Sequence, residues 1–277
     1  MSNLYIPARI TDRVWAEKFV EGQIFMRSLT EFGAWEAVQR YTKDELNNSF
    51  RGDLREGTVK VVANPDDDNF FSTFPEELKM GIKHAAILDV GDIQYFNILC
   101  LCCIDYMPEL RQFISPSKRM KEFGDTAVII KDMNEFLLRL MKGIEKIGKK
   151  VCLLMEKVEY YSFDETKILN PLFNKKQDHE YQNELRIAIG RLDLNKPTSD
   201  DKYELCTSTE PLKVEIGDIS DITIVLPIGD FCALKRLDSA IFPMIDRRSD
   251  IFNRLLKETQ ETMSGFESRK QTFTFDI

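Results

Sequence analysis

The residues best placed to do chemistry lie in one stretch, Asn174-Lys-Lys-Gln-Asp-His-Glu-Tyr-Gln-Asn-Glu-Leu-Arg-Ile-Ala-Ile-Gly190, where a polar run turns into an alternating strand with Glu184 and Arg186 at the join. Residues two apart in a strand point the same way, so Glu184, Arg186 and Ala188 share one face and Leu185, Ile187 and Ile189 the other. The second face is built for a core. The first carries an acid, a guanidinium and a small residue, as a strand flooring a shallow cleft would. A carboxylate held where the chain leaves a loop containing Lys175, Lys176 and Tyr181 can accept a hydrogen bond from a sugar hydroxyl or stabilise a developing oxocarbenium ion. The plainer alternative for Glu184 is a same-face ion pair with Arg186 on a solvated strand.

A second polar group stands earlier in the chain. Arg51, Asp53 and Glu56 crowd together around Gly52 and Gly57, just ahead of the strand Thr58-Val-Lys-Val-Val. Loops beside strands are where site residues are displayed. Arg51 offers the forked guanidinium that grips a phosphate through two parallel hydrogen bonds, which lysine cannot reproduce. A solvated turn with local ion pairs is the other reading of the same residues. Asn64-Pro-Asp-Asp-Asp-Asn reads as an acidic turn, because its spacing is not the alternating one of a calcium loop.

Several chemistries drop out. The sequence has no Walker A loop, no strand–G-x-G-x-x-G–helix unit and no G-x-S-x-G elbow. With two histidines, His84 and His179, a Ser–His or Cys–His pair has few ways to form. Six cysteines (Cys100, Cys102, Cys103, Cys152, Cys206 and Cys232) include no C-x-x-C pair and have no histidine at ligand spacing, so buried reduced thiols are expected and no metal is. A net charge of −8 argues against non-specific nucleic-acid binding over the whole surface, while 38 lysines and arginines leave room for a local basic patch. The N-terminus lacks a basic segment followed by an apolar one, and no apolar run approaches the roughly 20 residues needed to span a bilayer. The expectation is a cytoplasmic protein with no membrane partner.

The elements that must position these residues follow from periodicity. Leu4-Tyr-Ile starts a strand, and a helix follows from Thr11 or Asp12, with Val14, Trp15, Lys18 and Phe19 at helical spacing and Gly22 closing it. Gln23-Ile-Phe-Met-Arg-Ser-Leu is strand-like, and Thr30 caps a second helix through Tyr41. Strands are expected at 58–62, 85–88, 95–104 and 126–130. Asp132 and Glu135 form a capping box for the helix striped by Met133, Phe136, Leu137, Leu140, Met141, Ile144 and Ile147. A long strand covers 150–161, the Glu184 strand follows, 191–201 is a turn-rich excursion, and strands recur near 203, 212 and 222. A C-terminal helix is expected at about 245–263, followed by a β-prone end. The order mixes helices and strands without regular βαβ alternation, which predicts a single α+β domain over 1–277 with a mostly antiparallel sheet and flanking helices.

At this point the residues resemble something known. Lys18-Phe-Val-Glu-Gly22, Ile24-Phe-Met-Arg-Ser-Leu29, Phe123-Gly-Asp-Thr-Ala-Val-Ile-Ile130, Tyr181-Gln-Asn-Glu-Leu-Arg186 and Ile216-Gly-Asp-Ile-Ser-Asp-Ile222 are similar to a family of uncharacterised bacterial and phage-encoded proteins with a Tyr-x-x-Glu-x-Arg motif. More distantly, an N-terminal strand and helix, an arginine near position 50 and a glutamate opening a late strand resemble the ADP-ribosyltransferase arrangement. That resemblance implies a substrate, NAD, with Glu184 holding the nicotinamide ribose and Arg51 binding phosphate. It implies Tyr5 or Tyr181 stacking the nicotinamide, with Arg186, Asp53 and Glu56 as further candidates around the nucleotide. The chain carries no plain His-Tyr-Glu or Arg-Ser-Glu set, and Ser28 is a loose match to the serine.

Three functional classes follow. The first is an ADP-ribosyltransferase-like protein acting on NAD or a related nucleotide, as transferase or glycohydrolase, in phage–host conflict or bacterial defence, with a protein or nucleic-acid acceptor. The second is a non-catalytic sensor binding a nucleotide or a protein partner in the same cleft. The third is a magnesium-dependent nuclease using Asp53, Glu56 and Glu184, against which stands Arg186 where such sites place a lysine.

Overall fold

Alternating apolar residues build the centre of the molecule out of strands buried on one or both faces. The computed structural model describes residues 5–31, 57–64, 84–89, 92–107, 112–147, 150–199, 202–234 and 271–276. In chain order its first half holds β1 (Tyr5–Thr11), α1 (Arg13–Val20), β2 (Gln23–Ser28), β3 (Thr58–Val62), β4 (His84–Asp89), β5 (Asn97–Met107), β6 (Gln112–Phe113), β7 (Thr126–Ile130) and α2 (Met133–Lys146). The second half holds β8 (Val151–Lys157), β9 (Glu159–Tyr161), β10 (Lys167–Ile168), β11 (Asn174–Lys176), β12 (Glu184–Ser199), β13 (Lys202–Leu205), β14 (Leu212–Glu215), β15 (Thr223–Pro227), the short α3 (Ile228–Phe231) and β16 (Gln271–Asp276). The fold is α+β with antiparallel sheets, as the sequence predicts; among the described strands only β9 and β11 pair in parallel.

The long strands β5 and β12 run side by side, from Glu184 opposite Cys102 to Ile189 opposite Asn97, and β8 covers the far edge of β12. On its other side β5 has two partners in succession. β1 pairs with it from Tyr5 opposite Asp105 to Ala8 opposite Cys102, then leaves to join β7, which carries β15. β2 takes up the pairing lower down, with Arg27 opposite Ile98 and Ser28 opposite Asn97, and carries β14. β5 is therefore forked, and Leu99 to Leu101 lie at the fork. A separate four-stranded sheet has the order β10-β3-β4-β16, and β6 turns back on the end of β5.

Two-residue periodicity sorts the main sheet into two faces. One gathers Ile24 and Met26, Leu99, Leu101 and Cys103, and Leu185, Ile187 and Ile189 under helix α2, which contributes Phe136, Leu137, Leu140 and Ile144. The helix begins where Asp132 accepts a hydrogen bond from Glu135 N at 3.0 Å, half of the expected capping box. Gly143 lets it press onto β14, since a Cβ there would meet Val214 Cγ1 at 2.6 Å. The opposite face gathers Ile6, Ala8 and Ile10 with Cys102, Ile104, Ala127 and Ile129 in one apolar cluster, and Phe96, Ile98 and Ala188 in another. Glu184 and Arg186 lie on this second face, as alternation requires.

Three expectations are corrected. In α1 the inward residues are Ala16 and Phe19, whose ring stacks on Phe136 at 5.8 Å, while Val14 and Trp15 face solvent and Lys18 lies over the Trp15 ring. The expected single strand over 150–161 breaks at Val158: its N–H makes the last bond to the β12 side, at Glu184 O (2.8 Å), and from Glu159 the chain pairs with β11 instead. Residues 191–199 form no turn-rich excursion: β12 runs on to Ser199 and pairs with β13 through register shifts. The helices expected over Thr30–Tyr41, beyond its first residues, and about 245–263 lie outside the described residues.

Candidate functional site

Glu184 reaches its place through the residue before it. Asn183 sits in the left-handed region at φ 42°, a conformation asparagine tolerates better than most residues. Its side-chain amide donates to Asp105 Oδ2 and to Cys103 O, both at 2.8 Å, and its carbonyl accepts from Cys103 N at 2.7 Å. Lys157 Nζ completes the clamp on Asp105 Oδ1 at 2.8 Å. The single left-handed residue turns the 3-10 segment Gln177–Gln182 into β12 and delivers Glu184 to the sheet face.

There the carboxylate is enclosed by cations. Arg186 Nε donates to Glu184 Oε1 at 2.7 Å, and Lys175 Nζ lies 3.3 Å from Oε2. Lys175 also donates to Gln182 Oε1 at 3.0 Å, and Arg186 Nη1 to Leu172 O at 2.9 Å. Cys100 lines the cleft beside the same carboxylate, and Tyr160 OH accepts from Glu184 N at 2.9 Å. Glu184, Arg186 and Lys175 are 4%, 1% and 5% exposed, so the ion pair expected on a solvated strand is instead a buried triad. Burial by itself pushes the Glu184 carboxyl up, but Arg186 first and Lys175 second overcome it and hold the group well below its ordinary 4.5. Burial raises the thiols of Cys100, Cys102 and Cys103, which makes them poor nucleophiles.

Above this floor lies a cleft of about 130 Å³ lined by Arg9, Thr11, Cys100, Cys102, Met120, Phe123, Lys175, Gln182 and Glu184, among others. It opens at the fork of β5. Past the last pair with β1, none of the described strands pairs with Cys100 on that edge of β5, and Arg9 Nη1 donates to its carbonyl at 2.8 Å. At the rim, Tyr181 lies between Phe123 (6.4 Å between ring centroids) and the Arg119 guanidinium, 3.6 Å from the Tyr181 centroid. Its hydroxyl reaches Glu122 Oε2 at 3.4 Å.

Of the residues singled out from sequence, Glu184 lines the cleft, Arg186 sits beneath it and Tyr181 stands at its edge. Tyr5 does not join them: it packs against the α2 side of the sheet, beneath Lys157. His179 Nδ1 lies 3.3 Å from Gln182 Nε2, one residue removed from the cleft lining. Arg51, Asp53 and Glu56 lie outside the described residues. Sequence reading missed Arg9, whose signal was a lone charge inside the apolar strand Tyr5-Ile-Pro-Ala-Arg-Ile-Thr. It also missed the site role of Cys100 and Tyr160, which carry no local signal. Among the described residues no three His, Cys, Asp or Glu side chains converge as metal ligands, and no helix is long and apolar enough to cross a membrane.

Compared with protein-family models, with curated proteins and with solved structures, the chain finds no match, so the functional reading rests on this geometry.

Proposed function

We propose that the cleft recognises a phosphate-bearing nucleotide, NAD first among the candidates, by drawing one of its groups down onto the Glu184 floor. What carries the reading is local charge. Among the described residues that line the cleft, Arg9 and Lys175 are cationic and Glu184 is the one acid, with Arg186 paired to it from beneath, in a protein of net charge −8. A concave site with excess positive charge and low-dielectric walls favours an anion. Size limits what enters: pockets that engulf whole drug-sized ligands run to about 300–1,000 Å³. A cleft of about 130 Å³ therefore takes one phosphate, one ribose or one ring, with the remainder of a nucleotide lying across the rim.

The state of Glu184 defines the chemistry open to the site. Held ionised by its two cations, it is an acceptor and an electrostatic stabiliser, not a proton donor. That suits a carboxylate accepting from a ribose hydroxyl and steadying an oxocarbenium ion as the nicotinamide leaves, the demand of an ADP-ribosyltransferase-like reaction on NAD. One observation favours a second reading, a nucleotide sensor without turnover: each Glu184 oxygen already has a cation.

Incubating the protein with NAD, following bound nucleotide by equilibrium dialysis and free NAD by mass spectrometry, separates these readings. Binding with consumption that is lost in Glu184→Gln supports the transferase or glycohydrolase. Binding without consumption supports the sensor. Folded wild type that binds none of NAD, ADP-ribose and AMP overturns the proposal.

A further inference from the structure

On the opposite face of the sheet from the cleft, a second polar cluster is buried where β2, β5 and β12 lie abreast. Ser28 stands opposite Asn97, and Asn97 opposite Ile189, two residues before Arg191. Parity places Ser28, Asn97 and Arg191 on one face, continuing the rows Ile24–Met26, Leu99–Leu101 and Ile187–Ile189 of the α2-side core. Ser28 and Asn97 are wholly buried and Arg191 is 5% exposed. Two of the three meet on the segment leading into β14, with Ser28 beside Asn97 in register: Arg191 Nη2 donates to Ser208 O and Glu210 O, both at 2.9 Å, and Asn97 Nδ2 donates to the same Glu210 O at 3.1 Å.

Each of the three nevertheless keeps one buried polar atom without a partner among the described residues: Ser28 Oγ, Asn97 Oδ1 and Arg191 Nε. Buried polar atoms are almost always hydrogen-bonded, and leaving three together in one core corner would be costly. We infer that this corner is a binding site for a single small molecule that both donates and accepts, and that its occupant is water.

Donor and acceptor types select water over an anion. Arg191 Nε–H can only donate, Asn97 Oδ1 can only accept, and the Ser28 hydroxyl can do either. The Asn97 amide cannot flip to offer a donor, because its Nδ2 already serves Met26 O at 3.4 Å as well as Glu210 O. Chloride or phosphate would face that carbonyl oxygen, whereas water accepts from Arg191 and donates to Asn97. Three partners is the usual number for an internal water. Its role is to complete the clasp by which Arg191 and Asn97 hold the segment 206–210 to the sheet.

A crystal structure of the wild-type protein at about 1.5 Å, with a second crystal soaked in bromide, tests this. One ordered water within hydrogen-bond distance of at least two of the three atoms, and no anomalous signal there, is the expected result. Bromide at the site would overturn the inference in favour of an anion site. Side chains paired directly with one another, without intervening density, would overturn it as well.

Discussion

At Glu184 the balance between burial and neighbouring charge is directly measurable. Its carboxyl is held below its ordinary 4.5 in the folded protein. The associated stability is therefore fully present above that value and is lost as pH falls below it towards the folded value. Resistance of the wild type to urea is expected to fall as pH is taken below about 4.5, and Glu184→Gln to show a smaller loss over the same window. Removing the acid outright strands Lys175 and Arg186 as buried cations, so Glu184→Ala is expected to cost about 3–5 kcal/mol. Asn183 supplies a second test. A left-handed alanine loses the tolerance of asparagine together with bonds to Asp105 and Cys103, so Asn183→Ala is expected to cost about 1–3 kcal/mol. Asn183→Gly, which restores the backbone freedom alone, should recover part of it by the same measurement. Glu184 and Arg186 were legible as a same-face pair because strand parity depends on nothing beyond neighbours. Lys175 as their third member was not, since its approach depends on β11 pairing with β9, a contact no local pattern announces.

Helix α2 and its capping aspartate were the plainest element in the sequence, because a long apolar stripe and a cap agree. In helix α1 the expected stripe holds at Phe19, but Val14 and Trp15 fit helical spacing as well as the buried Ala16 does over so short a segment. Packing of Phe19 on Phe136 decides between the stripes, and that is a tertiary fact. The continuation of β12 past Gly190 was hidden by Asn195 and Pro197, which read as turn residues but are carried by register shifts against β13. Gly143 tests how tightly these layers fit. Alanine in place of an exposed helical glycine gains about 1 kcal/mol of propensity. Here the new Cβ would stand 2.6 Å from Val214 Cγ1 and 2.9 Å from Glu215 O, and such overpacking costs about 1–3 kcal/mol. Gly143→Ala is therefore expected to lower the urea midpoint, and a raised midpoint would mean that β14 yields to the helix.

Across the whole molecule the fork in β5 joins fold to site. β1 and β2 share one edge of the same strand and part at Leu99 to Leu101, and the cleft occupies the gap on the face that α2 leaves uncovered. Fold class was legible from the irregular order of elements; the fork was not, because it depends on which strands share β5. The consequence is a cleft whose described lining sets Arg9 and Lys175 against Glu184, in an acidic protein. The most direct test is calorimetric titration of AMP into the wild type and into Arg9→Gln at low salt. Glutamine removes the charge and keeps a polar side chain at the position. One charge-assisted hydrogen bond is worth about 1.5–3 kcal/mol, so saturable binding to the wild type, weakened about tenfold or more in a variant of unchanged fold, is the expected result. Equal affinity of the two proteins, or no binding by either, would contradict it.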